Sequence, residues 1–186
     1  MEHVEEWIQD EFMERSSHAL RAGGRTWLID PVDNARVDEL EDVAGVIQLL
    51  DRHNRDCVAI ANRLGVPHHV VPERPIRPFE FLPILSRRNW KEVALWWPEA
   101  AVLVCADVLG TADYFRAGDE RLAVHPLLRL RPPRLRVWPD TILCGHGPGL
   151  FDDAAGALAE ALRMSRRGIP GQFVSAVRAW RRSRSS

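Results

Sequence analysis

Apolar and polar residues fall along this chain in short blocks, and the blocks predict its elements. Val4 to Ile8 and Ser17 to Leu20 read as strands, and Gly23-Gly24 reads as a hairpin turn. Thr26-Trp27-Leu28-Ile29-Asp30-Pro31 is a short apolar strand that Pro31 stops, because proline cannot donate to a ladder. Val37, Leu40 and Val43 give a weak helical spacing. Gly45 to Leu50 is apolar and β-branched, as a buried strand should be. Arg55 to Leu64 then carries Val58, Ile60, Ala61 and Leu64 on one helical face, with Asp56 in the first turn and Gly65 as the stop. His69 to Val71 is a short strand. The run from Pro72 to Pro83, with Pro75 and Pro78 inside it, is a loop or edge segment.

The second half repeats this alternation. Val93 to Trp97 and Ala101 to Cys105 flank Pro98-Glu99 as a buried hairpin. Leu122 to Leu130 is expected to be helical, up to Pro132-Pro133. Thr141 to Cys144 is a strand ending in Gly145-His146-Gly147-Pro148-Gly149. Asp152 is expected to cap a helix through about Arg166, with Ala155, Leu158, Ala159 and Leu162 on one face. Gly171 to about Arg182 completes the set as a last, basic helix or tail. Strand-rich halves closed by helices give a layered α/β fold, and 186 residues suit one domain.

Composition changes this picture little. A formal net charge of −1 gives no global attraction to nucleic acid or membrane. Arginines crowd the C-terminus, but without interleaved aromatics they read as a solvated helix face, so nucleic acid is not an expected partner. Lys91 is the only lysine, the mark of GC-rich coding as in bacteria, and it carries no chemistry. The acidic N-terminus lacks the features of a signal peptide, no apolar run approaches membrane-spanning length, and Cys57, Cys105 and Cys144 show no paired spacing. A cytoplasmic protein is expected. The unknown partner is a small molecule or another protein, and the oligomeric state is open.

Four landmarks, in order and each at a strand end, carry a resemblance. Leu28-Ile29-Asp30-Pro31 is followed by Arg52-His53-Asn54-Arg55-Asp56-Cys57, then by Cys105-Ala106-Asp107, then by Gly145-His146-Gly147-Pro148. Together they resemble the metallo-β-lactamase superfamily, with its LIDPG strand end, HxHxDH loop, TGD strand end and late GHG loop. The resemblance spans about residues 4 to 165 and implies an αββα sandwich, reduced in size, with metal ligands on loops between two packed sheets.

The same resemblance implies a degenerate metal centre. One metal would need positions 52, 54 and 89, which hold Arg52, Asn54 and Asn89 where the family has histidines. Arginine cannot ligate, because its guanidinium stays protonated and has no acceptor. The second metal would use Asp56, Cys57 and His146 with Asp107 bridging, all four capable ligands. Two readings stand. In one, Arg52 pairs with Asp107 or Asp56, no metal binds, and the protein is a pseudoenzyme that binds or scaffolds. In the other, a single zinc or iron ion supports hydrolysis of an ester, thioester or similar substrate, with Asp56 and His146 catalytic.

Other residues have plainer readings beside the chemical ones. His53 is a general base or, more commonly for a loop histidine, a hydrogen-bonding residue. Cys105 and Cys144 alternate onto the site-facing side and either ligate or pack as small hydrophobes. His68, His69 and His125 lack partners at ligand spacing. Trp96 and Trp97 fill core or line a pocket.

Overall fold

The computed structural model describes residues 3–169. The first sheet holds β1 (Val4–Ile8), β2 (Ser16–Ala22), β3 (Arg25–Ile29), β4 (Val43–Gln48) and β5 (His68–Val70), side by side in that order. Its first three strands are antiparallel; β3, β4 and β5 are parallel. The second sheet holds β6 (Glu80–Arg87), β7 (Trp90–Trp97), β8 (Val102–Cys105) and β11 (Thr141–Cys144), in the order β11-β8-β7-β6. Between β8 and β11 in the chain, β9 (Leu109–Gly110) and β10 (Ala123–Val124) form a small ladder.

Strand alternation explains the layering. Ala19, Leu28 and Val46 face one way and pack with Val37, Cys57, Ile60 and Ala61. Their chain neighbours Leu20, Ile29 and Ile47 face the other way, into the core cluster that holds Leu95 and Val104 of the second sheet. The first layer is therefore α1 (Ala35–Glu39) and α2 (Cys57–Leu64), and the inter-sheet core is the second interface. On the far side α3 (Ala154–Met164) buries Ala154, Ala157, Leu158 and Ala161. This is the αββα sandwich expected from the sequence.

Several elements differ from expectation, each for a local reason. Leu122 to Leu130 is not a helix. It forms β10, paired with β9, and a 3-10 turn over Pro126–Leu128 capped by His125. Pro126 removes a donor at the point where an α-helix would need it. The proline-containing segment extends into β6, an edge strand whose pairing shifts register at Pro83, as an edge tolerates. The N-cap of α3 is Asp153, in a left-handed conformation, rather than Asp152. Asp56 is the N-cap of α2, and Gly65 ends that helix in the left-handed region with a φ of 65°. The last basic helix, from Gly171, lies outside the described residues. Among the described residues no helix is long and apolar enough to cross a membrane.

Candidate functional site

Four loops at strand ends build the site. Asp30 follows β3, His53 precedes α2, Asp107 follows β8, and His146 follows β11. Asp107 is the centre. Its Oδ1 meets His53 Nε2 at 2.8 Å and His146 Nε2 at 3.1 Å, and its Oδ2 meets Arg52 Nη2 at 3.0 Å. His53, Asp107 and His146 are all buried, and one ligand atom from each lies within 4.8 Å of the others.

The other ring nitrogens are anchored. His53 Nδ1 lies 3.3 Å from Asp30 Oδ2, and His146 Nδ1 lies 2.7 Å from the Met13 carbonyl. Burial pushes the His53 imidazole down, but its hydrogen bonds to Asp107 and Asp30 outweigh that and raise its pKa. Burial likewise pushes the Asp107 carboxyl up, and hydrogen bonds from His146 and His53 overcome it, holding Asp107 well below the usual carboxylate range.

The scaffold beneath these groups is specific. The other oxygen of Asp30, Oδ1, accepts from Leu49 N, tying β3 to the loop that carries His53. Arg55 turns its guanidinium inward and donates to the carbonyls of Ser16, Asp30 and Gly145, joining the ends of three strands. Gly145 and Gly147 are required by close approach. A Cβ at 145 would meet the Ala106 carbonyl oxygen at 2.6 Å, and one at 147, where φ is +86°, would meet Ala112 N at 2.3 Å. The His146 ring stacks on Phe115, with ring centroids 5.6 Å apart.

Strand β7 contributes Trp90 and Glu92, two residues apart and so on one face. The Trp90 ring carries the Arg52 guanidinium at 4.1 Å, which aims it at Asp107. Fully buried Glu92 accepts from the backbone N–H of Asp107 and Val108 and from Trp90 Nε1, and so holds the Asp107 loop. Burial, reinforced by the neighbouring Asp107 charge, pushes Glu92 up to about 7. Because its folded pKa is above the ordinary 4.5, its contribution to stability is full below about 4.5 and is lost as pH rises toward about 7. A shift of that size corresponds to about 3 kcal/mol. Glu92→Gln in chelator-treated protein is therefore expected to flatten the pH dependence of stability over that window, read by urea denaturation at a series of pH values. An unchanged slope would show that Glu92 is not its source.

The sequence-derived set divides as follows. Arg52, His53, Asp107 and His146 come together. Asp56 and Cys57, expected in one ligand set with Asp107 and His146, do not join them. The Asp56 carboxylate caps a neighbouring turn by accepting from Asp33 N at 2.8 Å, and Cys57 is fully buried in the core beneath α2. The cause is the helix start at Cys57, which turns that side chain into the layer between α2 and the first sheet. Burial also pushes the Cys57 thiol up, away from the thiolate a metal needs. Asn54 is exposed, and Asn89 is exposed in the β6–β7 turn. Cys105 and Cys144 sit opposite each other on β8 and β11, fully in the core, with thiols raised by burial. His125 caps the 3-10 turn and packs on Trp90, and burial lowers it to about 4.

A dinuclear centre does not fit these residues. Among the described residues one group of three donors converges, too few to hold two ions, and the Asp107 carboxylate is also paired with Arg52 through Oδ2. The donor set His53, Asp107 and His146 does fit a single ion, with two imidazole nitrogens and one carboxylate oxygen. That His53, and not Asp56 or Cys57, meets Asp107 and His146, and that Arg55, Trp90 and Glu92 support them, is not legible in the sequence. A lone histidine one position off a motif has no periodic signal, and the other three act through contacts distant in sequence.

No family model and no curated protein sequence matches the chain. Solved structures do resemble it. The metal-soaked Flv1 flavodiiron core from Synechocystis sp. PCC6803 aligns with a TM-score of 0.53 at 15% identity, over 90% of this chain and 58% of that one. A di-iron-bound form of TTHA1623 aligns with a TM-score of 0.52 at 16% identity, over 83% of this chain and 96% of that one. The BLEG-1 B3 metallo-β-lactamase aligns with a TM-score of 0.51 at 14% identity, over 79% and 93%. At these identities the likeness establishes the fold alone, and the fold is that of the metallo-β-lactamases.

Proposed function

We propose that this metallo-β-lactamase-fold chain is a pseudoenzyme: it has exchanged the dinuclear hydrolytic centre for a histidine–carboxylate–guanidinium cluster, and it acts as a binding or structural protein. The observation that carries this reading is the Arg52–Asp107 contact. It places a permanent cation on Asp107, the carboxylate that a dinuclear centre would need as its bridge. The exposed amides Asn54 and Asn89 support the same reading, since both stand where a dinuclear enzyme needs imidazoles. A cytoplasmic setting agrees with three buried free cysteines.

The second reading, a mononuclear hydrolase, is favoured by the convergence of His53, Asp107 and His146. It lacks the base first assigned to it, because the Asp56 carboxylate is engaged by Asp33 N.

Chromogenic ester, thioester and β-lactam substrates, offered to the protein with zinc or iron(II) added, separate the two. No chelator-sensitive turnover above the no-protein rate is expected. Chelator-sensitive turnover that disappears in His146→Ala would overturn the pseudoenzyme reading.

A further inference from the structure

We propose that His53, Asp107 and His146 form a binding site for one divalent transition-metal ion, zinc or iron(II), through His53 Nε2, Asp107 Oδ1 and His146 Nε2. The ligand set differs from the one the family resemblance implies. Position 53 lies between positions 52 and 54, which the family uses, while Asp56 and Cys57 take no part.

The strongest support is how the rings are held. Each histidine has its Nδ1 committed to an acceptor, Asp30 for His53 and the Met13 carbonyl for His146. That leaves Nε2 as the coordinating atom on both, and both Nε2 atoms are directed at the same oxygen. Metal-binding histidines are oriented this way, with the remote N–H given to a carboxylate or carbonyl. Two imidazoles and a carboxylate with open positions suit zinc or iron(II) better than magnesium or calcium, which prefer oxygen donors.

Stoichiometry follows from the donors that converge. Three meet at one point, enough for one ion. Oδ2 of Asp107 faces the Arg52 guanidinium at 3.0 Å, and Oδ1 is the oxygen that both histidines face. The site rests on the non-hydrolytic reading in one respect, that Arg52 stays on Asp107 and leaves room for a single ion.

The test uses the full chain, stripped with chelator and titrated with Co2+ followed by visible absorption, then with Zn2+ in competition. One equivalent of Co2+ is expected to give d–d bands that Zn2+ abolishes. His53→Ala is expected to remove the bands, with circular dichroism confirming the fold, and His53→Gln serves as a second, less disruptive variant. Asp30→Asn is expected to weaken binding about 10- to 100-fold through the ring it orients. Arg52→Met, at an exposed side chain, is expected to tighten binding about tenfold by removing a like charge. Asp56→Asn and Cys57→Ala are expected to leave it unchanged. Absence of bands in the folded wild type would overturn the proposal, as would binding that survives both His53 variants and is lost in Cys57→Ala. One-equivalent binding that depends on His53 and brings hydrolysis would leave the site standing and overturn the pseudoenzyme reading instead.

Discussion

Replacing Asp107 with Asn is expected to lower the stability of the metal-free protein by about 3 kcal/mol, the low end of the range for removing one partner of a buried ion pair. The low end applies because Arg52 is 43% exposed and can turn to water, whereas His53 and His146 are buried and cannot. For a chain of this size the loss corresponds to a fall in Tm of about 6–12 °C. The pH dependence is the sharper signature. Asp107 has a depressed folded pKa, so its contribution is present above the unfolded value near 4 and is lost as pH falls. His53 has a raised folded pKa, so its contribution is complete below about 6.5 and is lost as pH rises through the folded value. The gap between wild type and Asp107→Asn should therefore be widest between about pH 4 and 6.5. Chemical denaturation of chelator-treated protein across that range measures it, and a pH-independent gap would mean that the cluster is not ionised as its hydrogen bonds require.

A second large loss is expected far from the site. Arg129 is fully buried, with its side chain 1% exposed. It forms a two-pronged pair with Glu120 at 2.9 and 2.7 Å, and it donates to the carbonyls of Phe115 and Ser165. One guanidinium thus ties together the loop after β9, the 3-10 turn and the end of α3. Arg129→Met would leave the largely buried Glu120 carboxylate without its cation, with only the Ala117 N–H still donating to it, and would take a donor from the carbonyls of Phe115 and Ser165, at a cost of about 3–5 kcal/mol. Adding Glu120→Leu should recover part of that loss, since the remaining charge is then gone. Thermal denaturation of the single and double variants tests both statements. A double variant less stable than the single one would show that the charge of Glu120 was not the source of the loss. The Phe115 ring packs on His146, so Arg129 also steadies one wall of the site.

Much of this fold is legible in the chain because two periodicities are local properties. Leu28 and Ile29, or Val46 and Ile47, are sequence neighbours that serve different cores, and alternation on a strand forces that division wherever they are placed. The α2 stop at Gly65 and the hairpin of β7 and β8 are local in the same sense. Leu122 to Leu130 reads as a helix in the sequence because its apolar residues satisfy a helical spacing as well as a strand and a turn. The partner that decides, β9, is supplied by the topology.

The site divides along the same line. The sequence by itself determined that position 52, a ligand position by the family resemblance, holds an arginine that cannot ligate, and that Asp107 and His146 end strands bearing motifs similar to that family's. It also determined which side chains have donor atoms. Only the tertiary structure decided which donors meet. A helix beginning at Cys57 drives that thiol into the core, Asp33 takes the Asp56 carboxylate, and Asp30 turns the His53 ring toward Asp107. Ligand identity is a property of a residue and can be read one position at a time. Convergence on a point about the size of one ion depends on the directions of four loops at once, which packing of the two sheets against each other sets.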